Sequence, residues 1–322
     1  MTVMEVKQKA EDVRLNIEKV MVGKSAEIKL MLAALLASGH VLLEDVPGTG
    51  KTTLAKSLAA SVSGTFKRIQ FTPDLLPTDL TGLNVYNPRS GDFNFRPGGL
   101  FTHILLADEI NRATPRTQSG LLECMEERQI SMDGETYPLK APYFVMATQN
   151  PIETQGTFPL PEAQLDRFLM QLTIGYPEDE AEIITRFLSG SPLNSLRAVS
   201  NTDEWVEMQQ TTANITVHPD LCEYITNLAR STRNHEAVAL GVSPRGSLAL
   251  AKAAQGYAAV NGREFVKPDD IKYLAPFVWA HRISLRGVGQ NTNKFKVIED
   301  ALASVTVPTE EFWQAEQSYD SP

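Results

Sequence analysis

The stretch LLEDVPGTGKTT, residues 42–53, constrains the fold more than any other part of the chain. A short apolar run, HVLLED, feeds a loop with two glycines, and KTTLAKSLAASV then carries the spacing of a helix. Strand, glycine-bearing loop and helix in that order make a cradle for phosphate, because the first N–H groups of the helix point at the ligand and its dipole favours negative charge. Gly48 and Gly50 let the backbone bend close to phosphate oxygens, Lys51 brings a positive charge between the outer phosphates, and the Thr52 hydroxyl suits a magnesium ion. Asp45 stands where a glycine usually opens such a loop. It falls at the strand end, furthest from the phosphates, where a carboxylate can turn away from them.

The rest of the chain supplies the sheet that such a loop needs. FKRIQF, HILLAD, YFVMAT and MQLTI are further short apolar strands separated by helical segments, and this alternation implies an α/β fold with a five-stranded parallel sheet covered on both faces. Ahead of the loop, Ser25 can cap a helix that carries Ile28, Met31, Leu32 and Leu35 on one face and stops at Gly39. Two hairpins interrupt the alternation: LNVYNPRSGDFNF, which turns between Pro88 and Gly91, and QISMDGETYPL, in which Asp133-Gly134 is a two-residue turn signal. They read equally as surface decoration or as elements that touch a partner. After residue 176 the pattern becomes helical: Leu221, Tyr224, Ile225 and Leu228 share one face, and KPDDIKYLAPFVWAHRI opens on proline and two aspartates. The expected division is an α/β domain with N-terminal helices over 1–176 and an all-helical domain over 177–322, with a frayed polar tail from Glu310.

Composition narrows the function classes. A chain of 322 residues with 42% hydrophobic content holds one large or two modest domains. Its net charge of −9, from 39 acidic and 30 basic residues, argues against a surface made to neutralise nucleic-acid phosphates. Cys124 and Cys222 have no metal-like spacing and fit a reducing compartment, and the five scattered histidines suggest packed or surface residues rather than a structural metal site. The charged N-terminus has no signal-peptide core, and Leu30 to Ala37 is too short an apolar run to span a bilayer, so a cytoplasmic chain without membrane insertion is expected.

The chemistry-bearing residues follow the loop in order. HILLADE delivers Asp108, placed to hold a hydrated metal, and Glu109, placed to position and activate an attacking water. VMATQN ends on Asn150, either a partner of the terminal phosphate and the water or a turn residue before Pro151. LPEAQLDRF sets Arg167 beside the last strand, to meet developing phosphate charge or to make a surface salt bridge. GVSPRGSLAL puts Arg245 in the first turn of a helix, where the dipole disfavours a cation and another duty is implied.

Taken in order, EDVPGTGKT, LLADEINRA, ATQNP, LPEAQLDRF and SPRG resemble the AAA+ ATPases and, within them, the MoxR family, over nearly the whole chain. The resemblance implies an AAA+ domain followed by a small all-α lid, with ATP and Mg2+ as ligands. Nucleotide would be held by Val22 and Gly23 near adenine and by Pro47, Gly48, Thr49, Gly50, Lys51, Thr52 and Thr53, with the metal on Thr52 and Asp108. Lys51, Thr52, Asp108 and Glu109 match the Walker residues, Asn150 the first sensor and Arg245 the second. Arg167 matches the arginine finger that completes a neighbour's site, which implies a homo-oligomeric ring, commonly a hexamer. Asn111 and Arg112 also fit the pattern, and the family's loops accept the acid at position 45. Both hairpins would face a central pore or a bound client.

Three classes compete for what ATP would drive. The resemblance favours a chaperone-like remodelling ATPase whose client carries a von Willebrand factor A domain or awaits assembly or a metal cofactor. The others are a nucleic-acid motor of the related helicase clade and an assembly scaffold or switch with little turnover. One hairpin sets Arg89 against Asp92 and the other Lys140 against Asp133 and Glu135, unlike the basic, aromatic-rich tip of a strand-gripping loop.

Overall fold

The computed structural model describes residues 1–89, 91–150, 156–177, 179–188, 190–287 and 293–308. Helix α1 (Val3–Glu18) opens on a capping box in which Thr2 and Glu5 satisfy each other's backbone N–H groups. Helix α2 (Ser25–Leu36) follows, with Lys24 at the cap position. Ser25 therefore does not cap the helix as its residue type suggests. The Lys24 ammonium is anchored on the carbonyls of Ile174 and Tyr176 and fixes where the turn becomes helical, while the Ser25 hydroxyl accepts from Arg14.

Then come β1 (Val41–Glu44), α3 (Lys51–Ser61), β2 (Phe66–Gln70), α4 (Pro77–Thr81), the hairpin strands β3 (Gly82–Tyr86) and β4 (Phe93–Pro97), and β5 (Ile104–Asp108). Next are α5 (Pro115–Glu127), the hairpin strands β6 (Gln129–Met132) and β7 (Glu135–Pro138), β8 (Phe144–Gln149), α6 (Glu162–Leu165) and β9 (Met170–Leu172). Five of these strands pair in parallel in the order β2-β5-β8-β1-β9. Side-chain alternation divides the sheet between two cores. Val41, Leu43, Ile104, Leu106, Phe144 and Met146 face one, and Leu42, Leu105, Ala107, Val145 and Ala147 face the other. Burial on both sides explains why β1, β5 and β8 read as continuous apolar runs, whereas β2, at the edge of the sheet, is not the buried apolar strand expected and leaves Lys67 and Arg68 exposed.

The hairpins lean on one another. Asp133 and Gly134 both adopt left-handed backbone, at φ 52° and 82°, as an Asp-Gly hairpin turn requires. The Phe95 ring stacks on Tyr137 with centroids 4.2 Å apart, and Asn84 Nδ2 donates to Asp133 Oδ2 at 2.7 Å. Ser90 of the first turn lies outside the described residues.

The second part of the chain contains α7 (Glu180–Leu188), α8 (Thr202–Ala213), α9 (Pro219–Asn234), β10 (Val238–Leu240), α10 (Pro244–Val260), α11 (Pro268–Trp279), β11 (Ser284–Leu285) and α12 (Lys294–Ser304). It is helical with one amendment to the all-helical expectation: β10 and β11 pair antiparallel, in runs too short for alternation to show in the sequence. Leu221, Tyr224, Ile225, Leu228, Ile271, Leu274 and Val278 are all buried. Helix α10 crosses α2 at Gly256, where a Cβ would stand 2.2 Å from the Ala33 carbonyl oxygen, so only glycine allows the approach. Among the described residues no helix is long and apolar enough to cross a membrane. The tail from Glu310 lies outside the described residues.

Candidate active site

The C-terminal ends of β1, β5 and β8 open into a cleft of about 380 Å3. Pro47, Gly48, Gly50, Lys51 and Thr52 form one wall, and Asp108, Glu109 and Asn150 face them. Gly48 and Gly50 sit at φ 88° and 89°, in the left-handed region that other residues avoid. Helix α3 starts at Lys51 with no side chain capping it, so its first N–H groups are left to an anionic ligand. The Lys51 ammonium rests on the carbonyls of Asp45 (3.0 Å) and Val46 (3.3 Å). This cradle, with the Thr52 hydroxyl and the Asp108 carboxylate as hard oxygen donors, fits a magnesium nucleotide. Of the other sequence candidates, Val22, Gly23, Thr49 and Thr53 do not line the cleft, but the preceding Met21 does lie against the loop. Its Cε would be 3.3 Å from a Cβ on Gly50.

Asp45 turns away from the phosphate side. It is buried, and its carboxylate accepts from the backbone N–H groups of Val46 (2.9 Å), Ile174 (3.0 Å) and Gly175 (2.8 Å). The acid thus ties the start of the loop to the segment leaving β9, close to where the helical part begins. Losing it strands buried donors. Asp45→Ala should cost about 2 to 3 kcal/mol of stability, read from the denaturant midpoint, with Asp45→Asn milder because an amide oxygen still accepts. No loss for Asp45→Ala would show that the clasp contributes nothing.

Sequence reasoning missed the groups that orient the two acids. Thr148 Oγ1 donates to Asp108 Oδ1 at 2.6 Å and accepts from the Glu109 N–H at 2.8 Å. Arg68 Nη2 lies 2.6 Å from Asp108 Oδ2. Glu109 holds a left-handed backbone, φ 56°, and its carboxylate accepts from Gln70 Nε2 (2.7 Å) and Arg112 Nη1 (3.0 Å). Left-handed backbone in a non-glycine residue carries strain, held here by a residue that lines the cleft. The ion pair with Glu109 sets Arg112 beside the cleft, although Arg112 does not line it.

Arg167 and Arg245 lie elsewhere. Arg167 precedes β9 and so stands at the N-terminal ends of the strands, opposite the cleft; four residues of β1 at about 3.3 Å each separate the two ends by about 13 Å. There Arg167 and Arg245 line a separate recess of about 330 Å3 with Gly39, His40 and Glu126. Glu126 bridges both, at 3.2 Å from Arg167 Nε and 2.8 Å from Arg245 Nη2. Burial, with Arg128 nearby, pushes the His40 imidazole down to about 3. Its Nδ1 accepts from the Val145 N–H, leaving Nε2–H for the Met125 carbonyl, so it is a packed neutral histidine.

Comparison with known proteins identifies the family. The model for the ATPase family associated with various cellular activities (AAA) matches residues 40–170, and that for the AAA lid domain matches residues 230–301. The Mycobacterium tuberculosis protein Chaperone MoxR1 is 42% identical over 91% of this chain and 81% of its own length, and Protein MoxR of Paracoccus denitrificans is 32% identical over 92% and 96%. The chain belongs to the MoxR family of AAA+ ATPases. Among solved structures, a Cytophaga hutchinsonii protein assigned as an ATPase superposes with a TM-score of 0.86 at 35% identity, covering 95% of this chain and 97% of that one. In this MoxR-family chain, the loop and acids that the sequence singles out converge in one cleft, while the two arginines gather at the far end of the sheet.

Proposed function

We propose that this MoxR-family chain hydrolyses ATP as a chaperone-like remodelling ATPase, in a cytoplasmic ring of about six copies, with each site completed by a neighbour. The observation that carries the reading is the pairing of Arg167 and Arg245 in a recess at the far end of the sheet from their own loop. A cation pair there has no access to its own nucleotide; a second copy brings one. Arg245 then acts in trans alongside Arg167. Thr52 and Asp108 would hold magnesium, which would add positive charge at the outer phosphates. Asn150, at the end of β8, would bind the terminal phosphate, while Val22 and Gly23, next to Met21, would lie near adenine. The division of labour falls at residue 176, with the sheet domain binding nucleotide and the helical lid moving against it.

A protein client fits the hairpins better than nucleic acid does. Tyr86 and Phe93 are 53% and 69% exposed on the first hairpin, beside exposed Leu83 and Val85, and apolar surface of that kind marks protein contact. The client class carried over from the resemblance is a protein with a von Willebrand factor A domain, or a complex awaiting assembly or a metal cofactor. The test of shared sites is a dilution series. Specific ATPase activity should rise with protein concentration and level off where mass photometry shows rings. Activity per subunit that stays flat down to monomer would sink the shared site.

A further inference from the structure

We infer that Glu126 is a positioning residue that holds Arg167 and Arg245 as one phosphate-facing pair, an inference that rests on the reading that both arginines act on a neighbour's nucleotide. Glu126 lies in the last turn of α5, and its two oxygens are divided: Oε2 forms an ion pair with Arg167, 3.2 Å from Nε, and Oε1 accepts a hydrogen bond from Arg245 Nη2 at 2.8 Å. The two arginines come from different parts of the chain, one before β9 and one at the start of α10. Nothing in either local sequence brings their guanidinium groups together. Arg128, Lys252 and Arg282 line the same recess and its other carboxylate, Asp166, is paired with Arg282, so the pair sits among an excess of like charge and would splay without Glu126 between them.

A second set of contacts fixes the backbones behind the pair. Arg282, almost wholly buried, donates Nε to Asp166 Oδ1 at 2.6 Å and Nη2 to the Phe168 carbonyl at 2.6 Å, bracketing Arg167 on both sides. Asp166 Oδ2 also accepts from the hydroxyl of Ser243, which caps α10 two residues before Arg245. Asp166 and Arg282 therefore set where the two side chains begin, and Glu126 sets where they end. The contact uses Nε of Arg167 and one terminal nitrogen of Arg245, and so does not consume the remaining N–H groups with which each planar fork can meet phosphate oxygens.

The experiment uses mixed rings of the full chain. Donor subunits carry Glu109→Gln, so they hydrolyse little but keep their arginines; acceptor subunits carry Arg167→Ala and Arg245→Ala but keep their own cleft. Mixing the two should restore turnover. Adding Glu126→Gln to the donor should then lower the restored rate about 10- to 100-fold, the usual effect of misplacing a catalytic group by about 1 Å. In the acceptor, where the arginines are already gone, the same change has nothing left to position and should leave the restored rate within about twofold. Thermal melts of each subunit and nucleotide affinity by fluorescence confirm that the isosteric change, at a partly exposed side chain, leaves the fold intact. A donor change that leaves the rate intact or raises it overturns the proposal, as does an equal loss from the acceptor change, which would mean a general structural role. Mixed rings that show no restoration before Glu126 is touched would overturn the shared-site reading and this proposal with it.

Discussion

Glu109→Gln should still bind ATP, with affinity within about threefold of the parent, and should hydrolyse it about two to four decades more slowly, the usual worth of a positioned general base. That loss corresponds to about 3 to 5 kcal/mol of barrier. Affinity should survive because the cradle for phosphate is made elsewhere, by the Gly48–Gly50 turn, Lys51 and the uncapped start of α3. The fold should survive because the amide replaces the carboxylate at equal size, and the backbone hydrogen bond from residue 109 to Thr148 does not involve the side chain. What disappears is a basic oxygen held between Gln70 and Arg112 at the mouth of the cleft. Phosphate release and calorimetric binding on one preparation read both quantities. Turnover above about a tenth of the parent would assign the base elsewhere, and lost binding would mean that Glu109 holds the cleft together. The same variant, tagged and loaded with ATP in a lysate of the source organism, should retain a client that the parent releases. A von Willebrand factor A domain protein would match the proposed class, and nucleic acid with replication proteins would point to a motor instead.

The parts of this site that were legible in the sequence are contiguous ones. LLEDVPGTGKTT and HILLADE each place their chemistry within one strand end, so residue type and spacing suffice. What the sequence hid depends on strand order. Gln70, Asp108 and Thr148 meet because β2, β5 and β8 are neighbours, with Gln70 level with Asp108 and Ala107 level with Ala147. A list of five apolar runs does not contain that order, although the polar residues at the ends of three of them, Gln70, Asp108 and Thr148, are a signal that the sequence carries. Asp45 was puzzling for a related reason: two of its three partners are Ile174 and Gly175, in the segment after β9. Glu126 carries no signal in the local sequence, because both of its partners, Arg167 and Arg245, are remote in sequence.

Arg167→Ala should bind ATP normally and turn it over about three to five decades more slowly, since an arginine finger stabilises the transition state by about 4 to 7 kcal/mol. The size of the effect alone does not separate an arginine acting on its own nucleotide from one acting on a neighbour's; the location at the N-terminal ends of the strands favours a neighbour's, and mixing makes the difference measurable. Arg167→Ala subunits have intact clefts and lack a finger, whereas Glu109→Gln subunits have a finger and a disabled cleft. Each is nearly silent alone. If fingers are shared, equal amounts assembled into mixed rings should recover about a quarter of parental activity, because half of the clefts are intact and half of those meet an intact finger. An arginine acting within its own subunit predicts no recovery at any ratio. Recovery should also vanish on dilution below ring assembly, because Arg167 is held by Glu126 in a recess that its own cleft does not share.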